Sequence, residues 1–117
     1  MKDLSSLRIY KISVEVGEMV WQVVEDWDKF SKWTIGKQLV DSADSIAATM
    51  IEGYYRNSKG DQRKFFRYAL SSAKETELWL YRANERELIK EKEYTDLRDK
   101  LLNLIPQTIN FIQKLKD

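Results

Sequence analysis

The sequence predicts an all-α protein: an antiparallel up-down-up-down four-helix bundle that associates with further copies of itself. Three observations carry this expectation. Apolar residues recur at spacings of three and four through most of the chain, which is the period of a helix. The 117 residues include only four Gly and one Pro, too few punctuators for a sheet rich in turns. Two segments carry apolar stripes wider than one bundle face needs, so a further surface must cover them.

The segments fall at about residues 7–28, 34–56, 60–87 and 91–115 of a single domain, 1–117. In the first, Ile9, Ile12, Val16, Met19, Val23 and Trp27 form one stripe. Leu7, Tyr10, Val14, Gly17, Trp21 and Val24 form its neighbour. Adjacent stripes on a helix make a very wide apolar face, and a small bundle has little room for a fully buried helix. Either the helix lies deep in the bundle's own core, or one stripe faces the core while Leu7, Tyr10, Val14, Trp21 and Val24 face another subunit. The connection that follows holds Phe30 and Trp33, expected to fold back over the bundle end, or else to form an exposed contact patch.

Segment two carries Leu39, Ala43, Ile46, Met50 and Gly53, with Val40, Ala47, Ile51 and Tyr54 beside them, and Ser31 or Thr34 as its cap. Its small residues admit a close neighbour. Ser58 is expected to cap segment three, with Asp61 suited to the positive end of the helix dipole. Ala69, Ser71, Ser72 and Ala73 of segment three face the small residues of segment two. No Gly or Pro marks the next turn, placed near Leu88-Ile89 on pattern alone. Segment four carries two stripes, led by Leu97, Leu101 and Leu104 and by Tyr94, Ile105 and Ile109, and contains Pro106, which is expected to kink it. Segments one and four, with the widest apolar faces, are expected to form the subunit-facing surface.

The composition excludes much chemistry. There is no Cys and no His, so disulfides, thiol nucleophiles, zinc–thiolate sites and histidine-based triads are ruled out. The Glu-x-x-His di-iron site of some bundles is ruled out likewise. No cofactor or metal is expected. No apolar run approaches the ~18–20 residues of a membrane span. Residues 1–6 lack the apolar core of a signal peptide. The expected location is the cytoplasm, with no membrane partner.

The net charge is only +1, but charge is uneven. Between residues 56 and 67 stand Arg56, Lys59, Arg63, Lys64 and Arg67, against the single acid Asp61. Tyr54, Tyr55, Phe65, Phe66 and Tyr68 interleave with them. Bases can hold a phosphate backbone while aromatics stack on unpaired bases, so RNA or DNA is a candidate partner, with Tyr55 as the stacking group. The competing reading is a solvated turn whose aromatics, Phe65 first, point into the core. Glu52, Glu75 and Glu77 are the carboxylates an enzyme would use. Helix-spaced charges more often form a solvated face, with Lys74, Arg82 and Arg86 near and Arg56 within reach of Glu52. The chain reads as non-enzymatic, an adaptor or a protein-binding module that uses Phe30, Trp33 and the second stripe of segment one.

An ordered set of residues across segments two and three resembles a known family, the four-helix-bundle proteins encoded in intervening sequences of 23S rRNA genes. The residues are Gln38-Leu39, then Ser45-Ile46-Ala47-Ala48-Thr49-Met50-Ile51-Glu52-Gly53, then Arg56 and Ser58. Lys64-Phe65, Ala69 and the run from Ser71 to Glu77, with Glu75 and Glu77, follow on the next helix. The resemblance implies a small cytoplasmic bacterial bundle in a ring, commonly a homopentamer, with no established enzymatic activity. A related bundle is the accessory protein of diversity-generating retroelements, which implies a nucleic acid and a reverse transcriptase or RNA-processing factor as partners. The chain departs from the family where Val40-Asp41 replace an Arg-Arg pair, removing two positive charges and adding a negative one.

Overall fold

The computed structural model describes residues 3, 4 and 7–115; of the N-terminal stretch read above for a leader, residues 1, 2, 5 and 6 lie outside them. Four long helical rods account for most of the described chain, and no strand occurs among the described residues. The helices are α1 (Arg8–Val24), α2 (Lys29–Ser31), α3 (Lys37–Tyr54), α4 (Lys59–Glu85) and α5 (Glu91–Lys114). A π-helical turn, Lys32–Gly36, joins α2 to α3, so these form one rod. No described helix is long and apolar enough to cross a membrane.

The second rod starts earlier than its apolar pattern, because its cap lies upstream. Asp28, not Ser31 or Thr34, ends the preceding turn. Its Oδ1 accepts from the Ser31 N–H at 3.0 Å and its Oδ2 from the Ser31 hydroxyl at 2.7 Å. Those bonds favour the ionised carboxylate, first through the Ser31 N–H, and hold the Asp28 carboxyl below its usual range. Phe30 and Trp33 are thereby helical and solvent-facing, 77% and 69% exposed, and do not fold back over the bundle end. Gly36 closes the π turn where α1 ends against it. A Cβ there would stand 2.9 Å from Val24 Cγ1 and 3.0 Å from the Ser31 carbonyl oxygen.

Ser58 caps α4 as expected, its Oγ accepting from the Asp61 N–H at 3.1 Å. Gln62 then reaches back across the turn, its Nε2 donating to the carbonyls of Tyr54 (3.3 Å) and Arg56 (3.2 Å), two acceptors freed by the end of α3. The turn after α4 falls where pattern placed it. The Leu88 N–H bonds Ala83 O at 3.0 Å and the Glu87 N–H bonds Asn84 O at 3.1 Å, a Schellman arrangement with Glu87 at φ 58°. The Glu93 carboxylate accepts from the Lys90 N–H at 3.1 Å and starts α5. That helix continues through Pro106.

Each rod packs on its sequence neighbours, and α1 also packs on α5. Small residues set the α3–α4 seam: Ala43, Ala69 and Ala73 are buried, and hydroxyls pair across them. The Ser72 Oγ donates to Ser45 Oγ at 3.0 Å, and Thr76 Oγ1 stands 3.0 Å from Ser42 Oγ and 2.8 Å from the Ser72 carbonyl oxygen. Buried hydroxyls satisfied in this way fix the register of two helices. Between α4 and α5, Phe66 and Phe111 meet with ring centroids 4.6 Å apart. Phe66, rather than the expected Phe65, is the aromatic that fills the core. Most of both stripes of α5 is used within the protomer. Leu97, Leu101 and Leu104 are fully buried, and Tyr94, Ile105 and Phe111 pack half-buried against the core, while Ile109 lines a groove between α4 and α5.

Candidate functional site

Two surfaces stand out. The first is the basic turn between α3 and α4, where the structure sorts the five bases by what they touch. Arg63 donates through Nη1 to the carbonyl of Leu115, tying α4 to the end of α5. Arg56 lies over Phe65, its guanidinium carbon 4.4 Å from the ring centroid, and its Nε donates to the Glu52 carbonyl at 3.2 Å. It thus uses the backbone of Glu52 rather than the carboxylate, contrary to the pairing read from the sequence. Phe65 is consequently a half-buried platform, with Tyr68 edge-on at 5.5 Å. Lys59, Lys64 and Arg67 are exposed, with no ion-pair partner among the described residues. Tyr55 is exposed at the end of α3, edge-on to Tyr54 at 5.2 Å and near Arg56 and Asp61. Arg67 points away from the turn, towards a groove between α4 and α5 lined also by Lys74 and Ile109.

The second surface is an apolar groove of about 560 Å³ between the end of α1 and the second rod. Trp21, 56% exposed, and Trp33 flank it, over Val24, Gly36 and Val40, with charged residues at the lips. The structure thus brings Trp21 together with Trp33, two residues of the protein-binding module read from the sequence. The other expected interface residues divide. Val14 is 41% exposed, Leu7 and Tyr10 are half-buried against the core, and Val24 is buried within the protomer core. Val24 is therefore corrected from an exposed contact to the groove floor, because the π turn closes over it. That turn has no sequence signal, so the groove was not readable in advance.

Beside the groove α1 and α3 carry acids. Burial raises the Asp44 carboxyl above its ordinary range, and the carboxylates of Glu18 and Asp41 add to the rise. Asp41 is itself bridged by Lys37 at 2.6 Å.

The carboxylates considered for catalysis are not brought together. Gly53 packs on Phe65 and Phe66, and Ser42 faces Thr76. That register sets Glu52 roughly two and a half turns of α4 from Glu75 and Glu77. Glu75 accepts from Trp79 Nε1 at 3.4 Å. No group of three or more acidic residues among the described ones is placed to hold a metal. Of the motif residues, Ser45 and Gly53 are structural, in the seam and beneath Phe65, while Gln38 and Glu52 are exposed.

A family model described as 23S rRNA-intervening sequence protein matches residues 5–110, nearly the whole chain. The chain belongs to that family. The match spans all four rods of this intervening-sequence protein, including the basic turn and the groove. Its fold is similar to a solved structure of a protein of unknown function from the S23 ribosomal protein family of Bacteroides thetaiotaomicron. The TM-score is 0.79 and the identity 24%, over 89% of this chain and 97% of that one. No curated protein matches the chain.

Proposed function

We propose that the protein is a non-enzymatic, homo-oligomeric adaptor that docks RNA or an RNA-processing partner at the turn between α3 and α4. The observation that supports this most is that Lys59, Lys64 and, further along α4, Arg67 are exposed and without ion-pair partners among the described residues, in a segment that also exposes Tyr55. A surface lysine bound to nothing on its own chain is free to neutralise a phosphate. Arg56, ordered over Phe65, adds a fixed charge, and the first turn of α4 adds the positive end of its dipole. Nothing in the turn discriminates bases, so the contact is to the backbone, with Tyr55 stacking on an unpaired base. The family's name points the same way, to 23S rRNA.

Neighbour-on-neighbour packing, short connections and the register pairs of α3 with α4 support an up-down-up-down bundle. The exposed Trp21 and Val14 support assembly into a cyclic homo-oligomer, five subunits by resemblance, in the cytoplasm. A second reading, a purely protein-binding module, draws on the groove between Trp21 and Trp33.

A fluorescence titration with single-stranded and structured RNA at two salt concentrations separates the two. Three phosphate contacts predict a slope of log affinity against log salt of about −2 for a single strand. The Lys59→Glu/Lys64→Glu variant then loses binding at all salts. Absence of binding at low salt removes the nucleic-acid reading and leaves the protein-binding one.

A further inference from the structure

We propose that the groove between α4 and α5 is a docking site for an acidic amphipathic helix of a partner protein, which lays its apolar stripe on Leu70, Ile109 and Ile112 and its carboxylates on Arg67 and Lys74. The site runs along the side of the bundle, apart from the α3–α4 turn, and goes beyond the reading of that turn.

The charge of the groove is one-sided, and the sequence of its two walls makes it so. From residue 62 to 74, α4 holds Arg63, Lys64, Arg67 and Lys74 and no acid. From residue 101 to 113, α5 holds no charged residue at all. Arg67, Ser71 and Lys74 therefore line one wall and the neutral Gln113 the other. Arg67 and Lys74 are exposed and have no ion-pair partner among the described residues. Beyond Lys74 lies a separate hollow that it shares with Glu77 and Arg98, so the acid there has a second base beside it. Arg63 donates to the Leu115 carbonyl, and that tie holds the two walls together at one end.

The floor of the groove is apolar. Ile105 and Phe111 of α5 pack against the core, whereas Ile109 between them is half-buried and lines the groove with Leu70 and Ile112. The space they enclose is about 460 Å³. Arg67 and Lys74 stand two helical turns apart on α4, roughly 10 Å along its axis. A helix lying in a groove presents apolar anchors at i, i+3, i+4 and i+7, and acids flanking that stripe recur at the same seven-residue interval. Its carboxylates therefore meet both bases in one register while its stripe covers the floor. Single-stranded RNA suits the groove less well. No aromatic ring lines it to stack a base, and three aliphatic side chains make its floor.

A peptide of about 18 residues tests this, with Leu at helical spacing and Glu flanking the stripe, beside an analogue with Lys in place of each Glu. Binding to the full chain is read by fluorescence anisotropy, helicity of the protein by circular dichroism and its size by light scattering. The Glu peptide is expected to bind, and the Lys analogue to bind about tenfold more weakly or worse at low salt. Lys74 is exposed, so Lys74→Glu leaves the core intact; it weakens the Glu peptide by about tenfold and strengthens the Lys analogue. Ile109→Gln weakens both peptides. No binding of the Glu peptide at about millimolar concentration, equal binding of the two peptides, or variants that bind like the parent overturn the proposal. Single-stranded RNA that displaces the peptide and loses affinity in both variants assigns the groove to nucleic acid. An assembly whose size changes in either variant assigns it to a second copy. Each of these overturns the proposal as well. Failure of RNA to bind the α3–α4 turn leaves this test unaffected.

Discussion

At Gly53 an added Cβ would stand 2.7 Å from the Cβ of Phe65, an atom fixed by the backbone of α4, and 3.1 Å from the Phe66 ring. Alanine inside a helix ordinarily gains about 0.5–1 kcal/mol over glycine. Overpacking a tight contact costs typically 1–3 kcal/mol. The clash wins, because neither helix can retreat without parting the Ser45–Ser72 and Ser42–Thr76 hydroxyls. Gly53→Ala therefore destabilises the fold by about 1–2 kcal/mol. A urea titration checks it: the midpoint falls while the slope stays constant. This close approach was legible from small residues on two facing stripes. The roles of Phe65 and Phe66 were not. They differ by one helical position, about 100°, and only the docking of Arg56 and Phe111 shows which ring turns inward.

Helix starts and stops were legible where a residue type announces them and hidden where tertiary packing replaces the signal. Ser58 was readable because a hydroxyl before an acidic first turn is a cap. Asp28 escaped notice because the residues it caps, from Lys29 to Trp33, lack an apolar helical stripe. The turn after α4 was placed on pattern alone, and its geometry explains the missing glycine. Glu87 takes the left-handed conformation that a Schellman turn requires, with Leu88 and the buried Ala83 both packed on the core. A non-glycine residue held there costs roughly 1 kcal/mol. Glu87→Gly is therefore expected to raise the melting temperature by about 3–6 °C. Glu87→Ala, which retains the Cβ, gives no such rise. Equal shifts for the two in differential scanning calorimetry would place the strain elsewhere.

For the whole molecule, the four helical rods and the basic turn follow from spacing and charge. The groove does not, because it forms only when the end of α1 packs over a π turn, with Gly36 giving the clearance. The doubled stripes of the first and last segments looked alike in the sequence, yet they are spent differently. Most of those of α5 close the protomer's own core, whereas α1 leaves Val14 and Trp21 in solvent beside Trp33. Large apolar side chains gathered on one face of a small protein mark a contact surface. The most direct measurement is light scattering of the parent chain and Trp21→Glu at micromolar concentration. The parent chain is expected to be an oligomer, and the variant a monomer of unchanged helicity, since Trp21 lies outside the buried core. A monomeric parent, or a variant that keeps the parent's size, would contradict assembly through this face.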